Sequence, residues 1–230
     1  MNKKELIAQL EYLGLSDRIN ELEDLLKDTL ATNELFNLTA IKEDSKFREL
    51  MILDSLYPLS LINFNDKKVI DVGTGAGYPG LPLAICSHGD FTLLDSTKKK
   101  IDHINEFAKR KGLLHVSGAN ARAEEYSKEH REEYDIAIAR AVSSLNILVE
   151  IVSPLVKVGG YIVGMKGAKG FEEISEAKNA LKEIGLEVVE IQEFELPESK
   201  EKRINILIQK MSKTKTKYPR MYKDILNKPL

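Results

Sequence analysis

The stretch Val69-Ile-Asp-Val-Gly-Thr-Gly-Ala-Gly-Tyr-Pro-Gly80 decides the fold of this chain. A short β-branched run contains an acid, three glycines then alternate with other residues, and an apolar run from Leu81 to Ile85 follows. Glycine has no Cβ, so its backbone turns sharply and approaches a ligand closely. Pro79 suits the first turn of a helix, where its missing N–H is no loss. The stretch predicts a strand, a glycine-rich turn and a helix, with a nucleotide-like ligand across the carboxyl end of the strand.

The glycines alone leave the identity of the ligand open. Gly75 to Gly80 satisfies the G-x-G-x-x-G spacing of dinucleotide sites. Asp71 extends the pattern to D-x-G-x-G-x-G, which is typical of Rossmann-like methyltransferases and favours S-adenosylmethionine. A second predicted strand ends at Asp95, whose carboxylate would accept the ribose hydroxyls of either ligand. The chain shows no second catalytic domain after this half, and a dehydrogenase usually needs one.

Composition limits the class of protein. The 230 residues are 43% hydrophobic and 30% charged, as expected for one globular domain with an extension. No apolar run approaches the roughly 20 residues of a membrane span, and the first residues lack a signal-peptide core, so we expect a cytoplasmic protein without a membrane partner. One cysteine and four scattered histidines predict no metal site. The net charge of −2 excludes a globally basic nucleic-acid binder, although the last 20 residues are rich in lysine.

The hydrophobic pattern divides the chain into three parts. Residues 1–64 are predicted to form a helical extension, 65–210 the α/β domain, and 211–230 a basic tail that becomes ordered only on binding. The extension is expected to contain helices within 3–36 and a third helix over about 43–62. The domain is expected to alternate strands at 68–72, 90–95, 113–117, 134–139 and 160–165 with helices at 79–86, 97–111, 123–129, 144–153 and 171–184. Two long strands, 186–196 and 203–209, follow without a helix between them, which predicts an antiparallel pair.

Taken together, these elements predict an α/β fold: a Rossmann-like class I methyltransferase with a mostly parallel seven-stranded sheet, an antiparallel last strand and an N-terminal helical extension. The chain also resembles one family over nearly its whole length, the bacterial small-subunit ribosomal RNA methyltransferases G. The resemblance rests on Asn37-Leu-Thr39, Leu53-Asp-Ser55, Val72–Gly80, Thr92-Leu-Leu-Asp-Ser96, Arg122-Ala-Glu-Glu125, Ala139-Arg-Ala141, Lys166-Gly167, Tyr218-Pro-Arg220 and Lys228-Pro-Leu230. It departs from the family at Leu50-Met51, where Arg-His is usual, and at Lys223-Asp-Ile225, which replaces a Gly-x-Pro.

The resemblance implies transfer of a methyl group from S-adenosylmethionine to N7 of a guanosine in 16S ribosomal RNA. N7 carries no proton, so a direct in-line displacement needs no general base, and catalysis would rest on proximity and electrostatics. The implied partner is 16S ribosomal RNA or a small ribosomal subunit particle, and the enzyme is expected to be a monomer without a metal. Two alternative hypotheses for the function are an NAD-dependent oxidoreductase and a non-enzymatic RNA-binding ribosome assembly factor.

Two sets of residues are candidates for the site. The predicted cofactor-binding residues are Asp71, Gly73, Thr74, Gly75, Gly77, Tyr78, Asp95, Ser96, Ala123, Glu124 and Arg140. Arg140 is also the catalytic candidate, because it ends the fourth strand, where a guanidinium would donate to guanine O6 or to a phosphate. The predicted RNA-binding residues are Arg122, Lys166, Arg203, Lys215, Lys217 and Arg220.

Overall fold

A seven-stranded sheet forms the centre of the protein, whose computed structural model describes residues 1–230. The strand order is β3-β2-β1-β4-β5-β7-β6. The first five strands pair in parallel, and β7 runs antiparallel to both β5 and β6. The predicted mostly parallel sheet with an antiparallel last strand is confirmed. The strands are β1 Lys68–Val72, β2 Asp90–Asp95, β3 Val116–Asn120, β4 Tyr134–Arg140, β5 Val156–Lys166, β6 Leu186–Glu195 and β7 Lys202–Lys210.

Helices cover both faces of the sheet. Successive apolar side chains of β1 point to opposite faces, so both faces of this strand need to be buried. Val69 belongs to a core shared with the N-terminal helices, whereas Ile70 and Val72 belong to a second core on the other face. The α-helices are α1 Lys3–Tyr12, α2 Ile19–Phe36, α3 Asp44–Phe47, α4 Asp54–Leu56, α5 Gly80–Cys86, α6 Lys98–Lys111, α7 Ala123–Glu129, α8 Leu145–Val152, α9 Gly170–Glu176, α10 Lys178–Ile184 and α11 Tyr222–Asn227. None of them combines the length and the apolar character that crossing a lipid bilayer requires.

The predicted single helix over 43–62 is interrupted. A π-helical segment, Arg48–Leu53, lies between α3 and α4, and a 3-10 turn, Tyr57–Ser60, ends the run. The π-helical geometry widens one turn and changes the direction in which its carbonyl groups point. This wider turn faces the carboxyl end of the sheet, where it becomes part of the candidate site described below.

The prediction that the tail becomes ordered only on binding is wrong. Tyr218 and Ile225 are buried in the core that also contains α8 and α10, and residues 222–227 form α11. Arg131 donates hydrogen bonds to the carbonyl groups of Thr214 and Tyr218, at 3.0 and 2.8 Å. The packing of the tail on the domain could not be predicted from the sequence, because the few apolar residues of the tail are spaced without helical periodicity.

Candidate functional site

The glycine turn after β1 is held by the carboxylate of Asp71. This side chain is fully buried, and its Oδ2 accepts hydrogen bonds from the Thr74 hydroxyl at 2.6 Å and from the Gly80 amide at 2.8 Å. Burial raises the pKa of Asp71 to about 6, although the hydrogen bonds from Thr74 and Gly80 act in the opposite direction. The Asp71 carboxylate thus holds the two ends of the glycine turn through these hydrogen bonds. Its Oδ1 is buried without a hydrogen-bond partner.

Two glycines of this turn differ in what surrounds their backbone: Gly75 has open space beside it, and Gly73 is in close contact with Val142. Gly73, Gly75 and Gly77 all have positive φ angles, which side chains disfavour. A Cβ at Gly75 would meet no protein atom within 4 Å, so the space beside its backbone is open. A Cβ at Gly73 would lie 2.6 Å from Cγ2 of Val142, so only glycine permits this close contact.

The end of β2 meets the same turn. Oδ2 of Asp95 accepts a hydrogen bond from the Gly75 amide at 3.0 Å, and Oδ1 accepts one from the Thr97 amide at 2.8 Å. Each carboxylate oxygen has a second lone pair, so the group still has acceptor capacity for two hydroxyls. Asp95 therefore orders the start of α6 and faces the glycine turn at the same time.

A small cavity of about 140 Å³ lies between the ends of β1, β2 and β3. Five predicted cofactor residues line it: Gly73, Asp95, Ser96, Ala123 and Glu124. The rest of the lining is Val72, Leu94, Ala121, Arg122, Val142, Ile151 and Tyr222. The acid at Asp95 suits a diol, and the apolar side chains of Leu94 and Ile151 suit a flat heterocycle. These residues fit an adenosine group. Arg122, predicted to bind RNA, lies in this cavity.

Tyr78 does not line this cavity. Its side chain is buried among the N-terminal helices, where its hydroxyl is 3.0 Å from that of Thr29 and its ring packs edge-on against Phe47. The hydrogen bond joins the glycine turn to α2. Any cofactor contact of Tyr78 would therefore have to come from its backbone, and that contact stays a prediction.

A larger cavity of about 670 Å³ adjoins the small one, and Val142 lines both. It lies at the carboxyl ends of β4 and β5 and at the start of β7. Its lining is Ile41, Leu50, Met51, Asp54, Arg140, Ala141, Val142, Ser143, Ser144, Met165, Lys166, Gly167, Glu173 and Arg203. Its volume falls within the roughly 300–1,000 Å³ of ligand sites.

Arg140 lies in this larger cavity and not in the smaller one. Its guanidinium donates a hydrogen bond of 2.9 Å to the carbonyl oxygen of Leu50 and lies 3.2 Å from the sulfur of Met51, both in the π-helical segment. The side chain is only 15% exposed. Leu50 and Met51, where the chain departs from its family, thus contact the catalytic candidate directly.

Asp54 joins the two arginines of this cavity. Its Oδ2 lies 3.5 Å from Nη1 of Arg140 and 3.2 Å from Nε of Arg203. Burial raises the pKa of Asp54, and the two guanidinium groups oppose that effect. Oδ1 of Asp54 is buried and has no hydrogen-bond partner. The carboxylate holds two cations at one wall of the cavity and keeps one acceptor free.

Lys166 stands on the opposite wall. Its ammonium group contacts the carboxylate of Glu173 at 2.8 Å and the carbonyl oxygen of Ser143 at 2.5 Å, and its side chain is 6% exposed. Glu173 also accepts a hydrogen bond from the Leu145 amide. Every acid in the cavity is thus paired with at least one cation.

The predicted RNA-binding residues of the tail, Lys215, Lys217 and Arg220, lie outside both cavities and form ion pairs with glutamates. Arg220 is paired with Glu150, whose side chain is 0% exposed, through bonds of 2.8 and 2.6 Å, and its third nitrogen donates to the Lys228 carbonyl. This fixes the tail to α8, and the RNA contact of Arg220 stays a prediction. Lys215 and Lys217 pair with Glu183 on the surface, and their RNA contacts stay predictions.

Several contributors to the two cavities were not found from the sequence, and three of them show why. They are the Leu50 carbonyl, the Val142 side chain and Tyr222 on α11. The carbonyl depends on the π-helical geometry, and Tyr222 depends on the docking of the tail, so no local pattern indicates either. Asp54 lies in the quoted Leu53-Asp-Ser55 motif but is not among the predicted site residues.

Comparisons with known proteins agree with this geometry. The family model described as GidB, rRNA small subunit methyltransferase G, matches residues 18–205. A curated protein from Alkaliphilus metalliredigens, Ribosomal RNA small subunit methyltransferase G, is 43% identical over 217 residues, which are 91% of each chain. Proteins of the same name from Fusobacterium nucleatum and Bacillus cereus are 41% and 40% identical and cover 96% of this chain, and 97% and 95% of their own lengths.

Solved structures share the fold at lower sequence identity. M. jannaschii TYW2 in complex with AdoMet has a TM-score of 0.57 at 16% identity, covering 69% of this chain and 76% of that one. A SAM dependent methyltransferase from Aquifex aeolicus has a TM-score of 0.52 at 18% identity, covering 72% and 93%. The fold is that of class I methyltransferases, and the chain belongs to the rRNA small subunit methyltransferase G family.

Proposed function

We propose that this rRNA methyltransferase transfers the methyl group of S-adenosylmethionine to N7 of a guanosine in 16S ribosomal RNA. The observation that carries the proposal is the pair of adjoining cavities: one is built for an adenosine group, and the other is lined by three cations whose acids are all paired. They share Val142, so groups bound in the two cavities would lie next to this residue from either side.

S-adenosylmethionine is the cofactor, and when bound it supplies an electrophilic methyl group on a positively charged sulfur. Asp95 would accept the ribose hydroxyls, and Ala123 with Glu124 would contact the adenine edge. The open space beside Gly75 would admit the chain that links the ribose to the methyl-bearing sulfur. These residues would bind and orient the methyl group toward Val142 and the larger cavity.

The larger cavity supports a ring nitrogen as the acceptor. An N–H or O–H acceptor loses a proton and benefits from a nearby base. Here Asp54 is paired with Arg140 and Arg203, and Glu173 is paired with Lys166. Guanine N7 uses its lone pair to form the new C–N bond while the C–S bond breaks, and no proton moves. Positive charge passes to the base, and the enzyme contributes mainly orientation.

The arginines would recognise the base or its phosphate. Guanine presents O6 and N7 as neighbouring acceptors on one edge, so a guanidinium that donates to O6 positions N7 toward the methyl group. Arg140 is close to the shared wall and is the candidate for this role. Arg203 and Lys166 would hold flanking phosphates, each with a charge-assisted hydrogen bond.

Methyl transfer to 16S ribosomal RNA tests the proposal. Radiolabelled S-adenosylmethionine is incubated with the protein and either deproteinised RNA or small subunits, and the labelled nucleoside is identified after digestion. We expect a single 7-methylguanosine. Label in another nucleoside would contradict the N7 assignment. No transfer to either substrate, with intact cofactor binding, would favour the assembly factor, and binding of NAD instead would favour the oxidoreductase.

A further inference from the structure

One wall of the small cavity comes from the far end of the chain. Tyr222, the first residue of α11, lines the cavity together with Asp95, Ala123 and Ile151. Tyr222 is half-buried and packs against the second core. An aromatic ring is therefore present beside the residues that fit an adenosine group, although it lies more than 90 residues from any of them except Ile151.

The position of Tyr222 is fixed by contacts on both sides of it in the chain. Two residues earlier, Arg220 forms its paired hydrogen bonds with the buried Glu150 on α8. Three residues later, Ile225 is completely buried. Glu150 directly precedes Ile151, so the ion pair sets Tyr222 against another residue of the same cavity wall.

The docking also involves the start of the tail. Tyr218 is buried, and its hydroxyl donates a 3.0 Å hydrogen bond to Glu183, while Arg131 bonds to two tail carbonyls. These contacts join the segment to α10 and to the residues that precede β4.

We propose that Tyr222 forms the outer wall of the adenosine site, with its ring against the adenine, and that residues 212–230 are a structural part of the cofactor site. The inference rests on the proposed cofactor. Aromatic rings stack on nucleobases because both present flat π faces, and they do so whatever the base. The basic tail thus serves the cofactor, whereas its charge pattern alone suggests a role in RNA binding.

Substitution of Tyr222 tests this role. Affinities for S-adenosylhomocysteine and for adenosine are measured by calorimetry in the parent, in Tyr222→Ala and in Tyr222→Phe. The loss of one stacking contact is expected to raise both Kd values about tenfold in Tyr222→Ala. Tyr222→Phe keeps the ring and should stay within about twofold of the parent. The KM for S-adenosylmethionine should rise likewise, with little change in the KM for RNA.

A matched control lies on the same helix. Leu226 is 48% exposed and lines neither cavity, so Leu226→Ala should leave both Kd values unchanged. A melting curve shows whether each variant is folded. If Tyr222→Ala fails to fold, Tyr222→Leu retains apolar packing without an aromatic face and should show the same loss.

Two results would overturn the inference. One is a folded Tyr222→Ala or Tyr222→Leu protein that binds both ligands as the parent does. The other is a loss seen with S-adenosylhomocysteine and not with adenosine, which would place the ring elsewhere on the ligand. Failure of the proposed function looks different, because the parent itself would then fail to bind the cofactor or to methylate the RNA.

Discussion

The two cavities are built in opposite ways. The cofactor cavity takes most of its wall from short connections that directly follow β1, β2 and β3, and its acid Asp95 accepts a hydrogen bond from the backbone amide of Gly75. The acceptor cavity takes its charged groups from positions 54, 140, 166, 173 and 203, where Asp54 pairs with Arg140 and Arg203, and Glu173 pairs with Lys166. The first is held by local backbone geometry, and the second by ion pairs between distant segments.

This difference separates two kinds of preorganisation. In the cofactor cavity the backbone amides of Gly75 and Thr97 are held by hydrogen bonds to Asp95. In the acceptor cavity each cation has a carboxylate partner that holds it in place at a modest net gain, because burying the pair costs desolvation. Substitutions should therefore affect ligand affinity in the first region and turnover in the second.

The largest effect is expected at the glycine turn. Gly75→Val should weaken S-adenosylmethionine binding at least about 10³-fold, or about 4 kcal/mol, because the added side chain would fill the open space at this residue. Calorimetric titration of the folded variant measures it. Gly75 has φ +62°, so the substitution also strains the backbone.

Gly112→Val provides the matched control for that strain. Gly112 has φ +66°, and its Cβ would also meet nothing within 4 Å, but it ends α6 outside both cavities. The Gly112→Val protein should lose about as much stability as the Gly75→Val protein while keeping the cofactor affinity of the parent. If both variants bind the cofactor equally, the glycine turn is not the ligand site and the comparison of the two cavities fails.

The next effect is expected in the acceptor cavity. Arg140→Ala should reduce kcat about 10²–10³-fold, or about 3–4 kcal/mol, because a charged hydrogen bond to the acceptor is lost. Cofactor affinity should stay within about threefold, since Arg140 does not line the cofactor cavity.

Arg110→Ala is the control for loss of an arginine. Arg110 pairs with Asp28 on the surface and is 58% exposed, so its removal should leave kcat unchanged. Turnover of Arg140→Ala within about threefold of the parent at saturating RNA would limit Arg140 to its contacts with Leu50 and Asp54.

Stability should respond most at the ion pair of the tail. Arg220→Ala leaves Glu150 buried without its partner and should lower the free energy of unfolding by about 3 kcal/mol. Urea denaturation measures this loss. Lys217→Ala, at a side chain 61% exposed, should change stability by less than about 0.5 kcal/mol. Equal stability of the two variants would mean that the tail is not fixed as described.

The smallest effect is a pH dependence at Asp71. Its pKa in the folded protein, about 6, lies above the ordinary 3.8, so the folded state binds the proton more tightly. The resulting stabilisation is fully present below pH 3.8 and is lost as the pH rises through about 6. Between pH 7 and pH 5 the parent should gain about 1 kcal/mol relative to Asp71→Asn. An identical pH profile for the two proteins would contradict the burial of this carboxyl group.

The strands and turns around the cofactor cavity could be predicted from the sequence because the information that determines them is local. Asp71, the glycines and Asp95 lie in or directly after two strands whose apolar pattern is clear, and parallel strands bring their carboxyl ends to one edge. The third strand was placed about three residues early, at 113–117 instead of Val116–Asn120. Its residues Ser-Gly-Ala-Asn have weak strand preference, so the pattern gave little guidance there.

The acceptor half was predicted only as a set of separate residues. Arg140, Lys166 and Arg203 were named, but their partners Asp54 and Glu173 lie at distances along the chain that no periodicity connects. The same holds for the tail, where the charge run suggested a free basic segment. The buried Glu150 that binds Arg220 is hidden within the apolar pattern of α8.

The π-helical segment makes the chain sensitive to the number of its residues as well as to their identity. Removing one residue between Leu50 and Asp54 would allow a regular α-helix, and each residue of such a helix advances by about 100°. The Leu50 carbonyl and Asp54 lie on either side of such a deletion, so they would no longer face Arg140 together. In this protein, a single-residue deletion here would remove the contacts that position Arg140 without changing the arginine itself.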